Sequence, residues 1–257
     1  MHEVLEFPAR LRLIDERSVA LRAAVSSGTG LDARVPSCPE WTLFDLVRHL
    51  GGGHRFWAAV VAAGPAGAPP VERQAVSDAP RDRDALLEWS AESTRRLLSA
   101  LRAAGPEAGC WAWWSVSGSP RTAGAVARHQ VQEAAVHAYD AQLAVGAAQP
   151  LPDEAALDGV AEFLSTCCTT TSAWPHEPAV VDYHATEGRS WRLALSADGA
   201  RATRLPVPGT APAADACARG TAGELVLALY GRIPVDSLEL DGDRRLFDLL
   251  HAWEPED

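Results

Sequence analysis

Lysine is absent from this chain: all 23 basic residues are arginine, and they stand against 34 acidic ones. The formal net charge of -11 and a pI near 5.2 exclude a nucleic-acid partner, because phosphate binding is driven by basic surface that releases counterions. Also missing is any apolar run long enough to span a bilayer. The opening residues, MHEVLEFPARLRLIDER, carry charges where a secretory signal needs an unbroken apolar stretch, so the expected location is the cytoplasm, with no membrane partner. The five cysteines form no C-x-x-C: Cys38, Cys110 and Cys217 are isolated, and Cys167 and Cys168 are adjacent. That excludes a cysteine-based zinc or dithiol motif and predicts reduced thiols. What is present, 47% hydrophobic and 22% charged residues over 257 positions, is an ordinary globular composition, enough for one large domain or two modest ones.

From Arg10 to about Ser26, Leu11, Leu13, Ile14, Val19, Leu21 and Val25 recur at helical spacing until Ser26-Ser27-Gly28 breaks the run. A second helix follows SCPEW, with Thr42 and Asp45 spaced as a capping box and Leu43, Leu46, Val47 and Leu50 on one face. The Pro/Gly-rich stretch GPAGAPPVERQAVSDAPRD is a loop, Asp84 to Ala104 a third helix, and Thr122 to Val145 a fourth. Four long helices with one long crossing loop describe a bundle. Beyond Gly146 a short helix through Glu154 to Cys168 leads to VVDYHAT, WRLALSA and ARATRLP, which read as an antiparallel meander. TAGELVLALYGR then offers Thr221 and Glu224 as a second capping box, and GDRRLFDLLHAW is a last amphipathic helix. The fold class is therefore α+β: an N-terminal four-helix bundle over residues 1–172, then a small α+β domain with an antiparallel sheet over residues 173–257.

The chemistry-bearing pattern lies in HQVQEAAVHAYD, where Glu133 and His137 are four residues apart and so share one helix face. His49, in WTLFDLVRHLGG, would complete a three-ligand metal site from a facing helix. Three protein ligands leave a divalent ion a position for water, thiol or substrate, although Glu/His pairs at this spacing also occur as plain surface contacts. His54, five residues after His49, is turned away from that face and reads as a packing or solvated residue. His129, four before Glu133, shares the stripe, but three ligands over two turns would spread along roughly 12 Å of rise, which puts His129 at the rim. Asp140 either orients His137 through its other ring nitrogen or sits as a solvated helix-end carboxylate. Trp111, Trp113 and Trp114 read more readily as core than as a pocket wall, and Cys38 as a packing residue rather than a nucleophile. His2, His176, His184 and His251 have no partner at ligand spacing.

Three segments in order, VPSCPEWTLFDLVRHLGGGHRFW, RHQVQEAAVHAYDAQLAVG and TAGELVLALYGRIP, resemble the mycothiol-dependent maleylpyruvate isomerase family of actinobacteria. These are DinB-like metal-binding helical bundles with a sterol-carrier-like C-terminal domain, and the resemblance spans nearly the whole chain. Arginine-only basic residues and abundant alanine, the coding bias of a high-GC genome, suit such a source. The resemblance implies metal ligands at His49, Glu133 and His137, with zinc foremost among ions that also include nickel, cobalt and iron. It implies mycothiol as thiol cosubstrate and Arg232, in the YGR segment, as a catalytic cation acting from across the domain cleft. Read by itself, Arg232 is equally a helix C-terminal arginine that satisfies the last carbonyls. One departure is Gln132, where family members often carry histidine; the ligands are intact but the wall beside them differs. The implied function is attack by a metal-bound thiolate on an electrophilic small molecule, by S-transfer or thiol-assisted isomerisation, in a setting such as secondary metabolism. A hydrolase using metal-bound water and a non-catalytic binding or regulatory protein on the same fold are the alternatives.

Overall fold

The structure, a computed structural model, describes residues 5–28, 30–71, 78–206 and 212–255. The start of the chain with His2, and residues 72–77 of the Pro/Gly-rich loop, lie outside the described residues. Packing divides the chain into two compact units, residues 1–113 with 120–151 and residues 114–119 with 152–257. Among the described residues no helix is long and apolar enough to cross a membrane.

The first unit is built on α1 (Phe7–Ser27), α2 (Leu43–Ala63), α3 (Arg83–Ala104) and α4 (Ala123–Ala144). Each start has a local cause. Proline in the first turn sets φ for α1, which needs no amide donor there. Thr42 and Asp45 form the expected reciprocal capping box on α2, while Asp82 and Thr122 accept from Ala85 N–H and Ala125 N–H to start α3 and α4. The principal pairings are α1 with α4 and α2 with α3. Small buried residues on α4 (Ala127, Ala134, Ala138 and Ala141) let its neighbours approach closely. Across the α2–α3 contact, a Cβ on Gly51 would sit 2.1 Å from the Trp89 ring, so only glycine leaves room for that indole. Leu46, Leu50, Leu97 and Leu101 are almost wholly buried in this unit, and truncating any one to alanine would cost about 2–5 kcal/mol. Ahead of α2, β1 (Arg34–Val35) and β2 (Cys38–Thr42), which takes in most of SCPEW, pair as a short antiparallel ribbon with a register shift whose end feeds straight into α2.

The second unit opens with α5 (Asp153–Glu162), which runs into a π-helical turn at Phe163–Cys168 where the sequence suggests one continuous helix. The expected meander is present as β3 (Ala179–Ala185), β4 (Ser190–Ser196) and β5 (Gly199–Arg204), all antiparallel neighbours. Two further strands, β6 (Ala216–Gly220) and β7 (Glu239–Gly242), extend it to the order β5-β4-β3-β6-β7. Because β6 runs parallel to β3, the whole sheet is mixed. Helix α6 (Ala222–Leu229) has the expected Thr221/Glu224 capping box, and α7 (Arg245–Ala252) follows β7. Strand alternation sorts the sheet's two faces. Val181, Tyr183, Trp191, Leu193, Ala216 and Ala218 point one way and are buried; Asp182, His184, Ser190, Arg192 and Cys217 point the other.

Candidate metal centre

His49 sits on α2, and Glu133 and His137 one turn apart on α4, so the bundle brings together the three residues singled out by spacing. The Nε2 atoms of His49 and His137 lie 3.5 Å and 3.8 Å from the same carboxylate oxygen, Glu133 Oε2. One ligand atom from each residue lies within 4.8 Å of the other two. Around a tetrahedral ion with bonds of about 2.0–2.2 Å, ligand atoms stand roughly 3.4 Å apart, so the trio fits a divalent cation with small side-chain adjustments. Burial alone would raise the Glu133 carboxyl, but the hydrogen bond with His49 and the neighbouring His137 and His129 outweigh it and hold it far below the ordinary range. An anionic carboxylate flanked by imidazoles is the donor set a borderline cation prefers.

The second layer of the site was only partly legible. Asp140 is fully buried and its Oδ2 lies 2.9 Å from His137 Nδ1, which leaves Nε2 as the nitrogen facing Glu133. The Ser37 hydroxyl donates to the other Asp140 oxygen, tying the ribbon before α2 to the acid on α4. Trp41 packs its ring 4.7 Å from that of His49 and 6.0 Å from that of His137. Neither Ser37 nor Trp41 stands at a diagnostic spacing from Glu133 and His137; the one available signal was their place in the short segment that precedes the His49 helix.

His129 approaches the opposite oxygen, Glu133 Oε1, at 3.9 Å, and stacks edge-on with Trp113 at 5.7 Å and Trp57 at 6.4 Å. It lines the rim beside the trio. Trp113, 41% exposed, belongs to that rim rather than to the core, whereas Trp114 is core in the second unit. Gln132 is fully buried in α4. His54 is also buried; its Nδ1 lies 3.3 Å from the Thr94 hydroxyl, and burial pushes its pKa down to about 3, so it is a neutral packing residue. Cys38 packs partly buried against the bundle core. Burial pushes the thiols of Cys110 and Cys168 up to about 11 and about 12. Neither can act as a thiolate near neutral pH.

Arg232 lies in the second unit, just past α6. Its backbone N–H donates to Leu227 O at 2.7 Å and its guanidinium to Tyr230 O at 2.6 Å, so it closes the helix end. The same residue lines a cavity of about 630 Å³ within that unit, together with Phe163, Tyr183, Leu225, Phe247 and Trp253.

A four-helix bundle that turns a His/Glu/His trio inward, followed by a compact unit built on a mixed sheet, defines a class of two-unit chains with a candidate metal centre in the bundle. Residues 11–142 match the mycothiol maleylpyruvate isomerase N-terminal domain, and residues 154–249 match the MDMPI C-terminal domain. The chain belongs to the mycothiol-dependent maleylpyruvate isomerase family. Among solved structures it is similar to the mycothiol-dependent maleylpyruvate isomerase, at 17% identity and a TM-score of 0.59, covering 92% of this chain and 93% of that one. A mutant of that isomerase with one histidine replaced by alanine gives 16% identity and a TM-score of 0.60 over the same shares. At such identity the likeness is one of fold. No curated protein matches the chain.

Proposed function

We propose that the chain is a cytoplasmic, mycothiol-dependent enzyme that adds the thiol to an electrophilic small molecule and returns the thiol after bond rotation. S-transfer is the outcome if the adduct is released instead. The observation that carries this reading is the convergence of His49 Nε2 and His137 Nε2 on Glu133 Oε2, a three-residue set that leaves a bound ion with room for one more ligand.

When bound, a divalent ion, zinc foremost, supplies the charge that ionises a thiol at neutral pH. His49, Glu133 and His137 are the residues that would hold it. Asp140 accepts from His137 Nδ1 and so keeps Nε2 available, and Ser37 keeps Asp140 in place. Trp41 packs against His49 and His137, and His129, stacked edge-on with Trp113, faces the other oxygen of Glu133. As the carbon–sulfur bond forms, an electron pair moves into the conjugated carbonyl of the substrate. Arg232 is the cation assigned to that developing charge. Reversal of the addition after rotation expels the thiol and returns the proton it lost. The pushed-up thiols of Cys110 and Cys168 support an imported nucleophile over an internal one.

Turnover of maleylpyruvate, as first electrophile, with and without mycothiol tests the reading. Turnover is expected only with the thiol; turnover without it would replace the proposal with hydrolysis by bound water. Calorimetry of mycothiol binding to the zinc-loaded protein in two buffers of different ionisation enthalpy gives the second readout. Unequal heats are expected as the thiol proton is released, with binding strongly weakened in His49→Ala, and equal heats would contradict a held thiolate.

A further inference from the structure

The outward face of the second unit's sheet carries a second trio of ligand-type side chains. Asp182 and His184 are two apart on β3, so they project to the same side, and Cys217 on the parallel strand β6 is the register partner of Asp182. One ligand atom from each lies within 4.8 Å of the other two. We propose that Asp182, His184 and Cys217 form a second divalent-metal site, of the thiolate-containing kind that takes zinc, independent of the trio in the bundle.

Three observations besides proximity support it. First, each β3 ligand already has an orienting partner on β4. His184 Nδ1 lies 2.8 Å from Ser190 Oγ, which leaves Nε2 to face the ion. Arg192 holds Asp182 through two hydrogen bonds of 2.7 and 2.8 Å, and roughly two of a carboxylate's four lone-pair positions remain for another partner. Ser190 and Arg192 are the cross-strand register partners of His184 and Asp182, so ligands and their supports are set by alternate pairs of one ladder, on one face. Second, Asp241 on β7 is the register partner of Cys217 from the other side, adding a further carboxylate to the cluster. Third, the trio stands on two adjacent strands of one sheet, β3 and β6, a rigid frame on which ligand spacing is fixed by strand separation.

The same residues do not make a cysteine nucleophile. Burial first, and then the carboxylates of Asp182 and Asp241, push the Cys217 thiol up, the reverse of what a Cys–His pair needs. Burial lowers His184, so the imidazole is the neutral form that ligates metals. A divalent cation between them would displace the thiol proton to solvent and leave a thiolate ligand. Cysteine, imidazole and carboxylate together suit zinc, with a fourth position for water or for Asp241.

Cobalt(II) titration of the full chain is the test, because the bundle trio contains no sulfur and only a thiolate ligand gives a near-ultraviolet sulfur-to-cobalt charge-transfer band. The band is expected in the parent protein, to grow to one equivalent per chain, to persist in Glu133→Ala and to vanish in Cys217→Ser. Zinc stoichiometry after loading and desalting should fall from two to one in Cys217→Ser, a substitution small enough to keep the melting temperature. In parallel, zinc should slow alkylation of Cys217 at least tenfold. No charge-transfer band in the parent, or a band that survives in Cys217→Ser, overturns the proposal.

Discussion

The bundle and the sheet each gather three ligand-type residues, by opposite geometric routes. In the bundle, two ligands share a helix at a separation of four and the third comes from a facing helix; in the sheet, two share a strand at a separation of two and the third comes from a parallel neighbour. The helix route is legible from a single segment, since the pair in HQVQEAAVHAYD declares its own face. The strand route is not, because alternation on β3 says nothing about which later strand lies beside it. His184 therefore looks isolated in sequence, and only the β3–β6 pairing brings Cys217, more than thirty residues on, to its side. The two trios also differ in setting: the bundle site is backed by a fully buried acid, Asp140, and the sheet site by an arginine at its edge.

The largest effect that could break this comparison is expected from Glu133→Ala. It removes the oxygen shared by both histidines and should abolish binding at the bundle site, read by competition with a chromophoric chelator, while the cobalt–thiolate band of the sheet site stays. Loss of both together would mean that the two sites are not independent. Next, Arg232→Ala should lower turnover by roughly ten- to a thousandfold with metal content unchanged. A lower melting temperature with normal turnover would make Arg232 a helix-closing residue only, the role its bond to Tyr230 O supports. Asp140→Asn should weaken metal affinity at the bundle site by roughly ten- to a hundredfold, and Ser190→Ala, which removes a neutral hydroxyl rather than a carboxylate partner, should have a smaller effect at the sheet site, both read by zinc competition.

The smallest expected effect concerns stability against pH. Burial lowers the His54 pKa from 6.5 to about 3, so below pH 6.5 the unfolded chain takes up a proton that the folded one refuses. Stability from this group is full above pH 6.5 and falls as the pH drops toward 3. Between pH 6.5 and 5.5 the parent should lose about 1 kcal/mol more than His54→Phe, measured by urea denaturation at both pH values. Equal losses would show that His54 is not held neutral.

Much of the bundle is legible because its signals are local. Thr42 with Asp45, Thr122 and the apolar stripes mark three of the helices, and the capping box at Thr221 marks α6 in the same way. The parts that were not legible depend on distant pairing. β6 is a short strand whose identity comes from lying beside β3, β7 one that lies beside β6, and the SCPEW ribbon exists through a two-residue partner at Arg34–Val35. At the site, the shared helix face of Glu133 and His137, with His129 one turn further along it, followed from helical spacing. Ser37 and Trp41 did not, because their contacts with Asp140 and His49 are made by tertiary packing that no period encodes.

The central claim is that His49, Glu133 and His137 bind one divalent ion, and elemental analysis of the Cys217→Ser protein, loaded with zinc and desalted, tests it most directly by isolating the bundle site. The account predicts one equivalent of zinc per chain, falling to none when Glu133→Ala is added. A folded Cys217→Ser protein that retains no zinc, or one whose zinc is unaffected by Glu133→Ala, would contradict it.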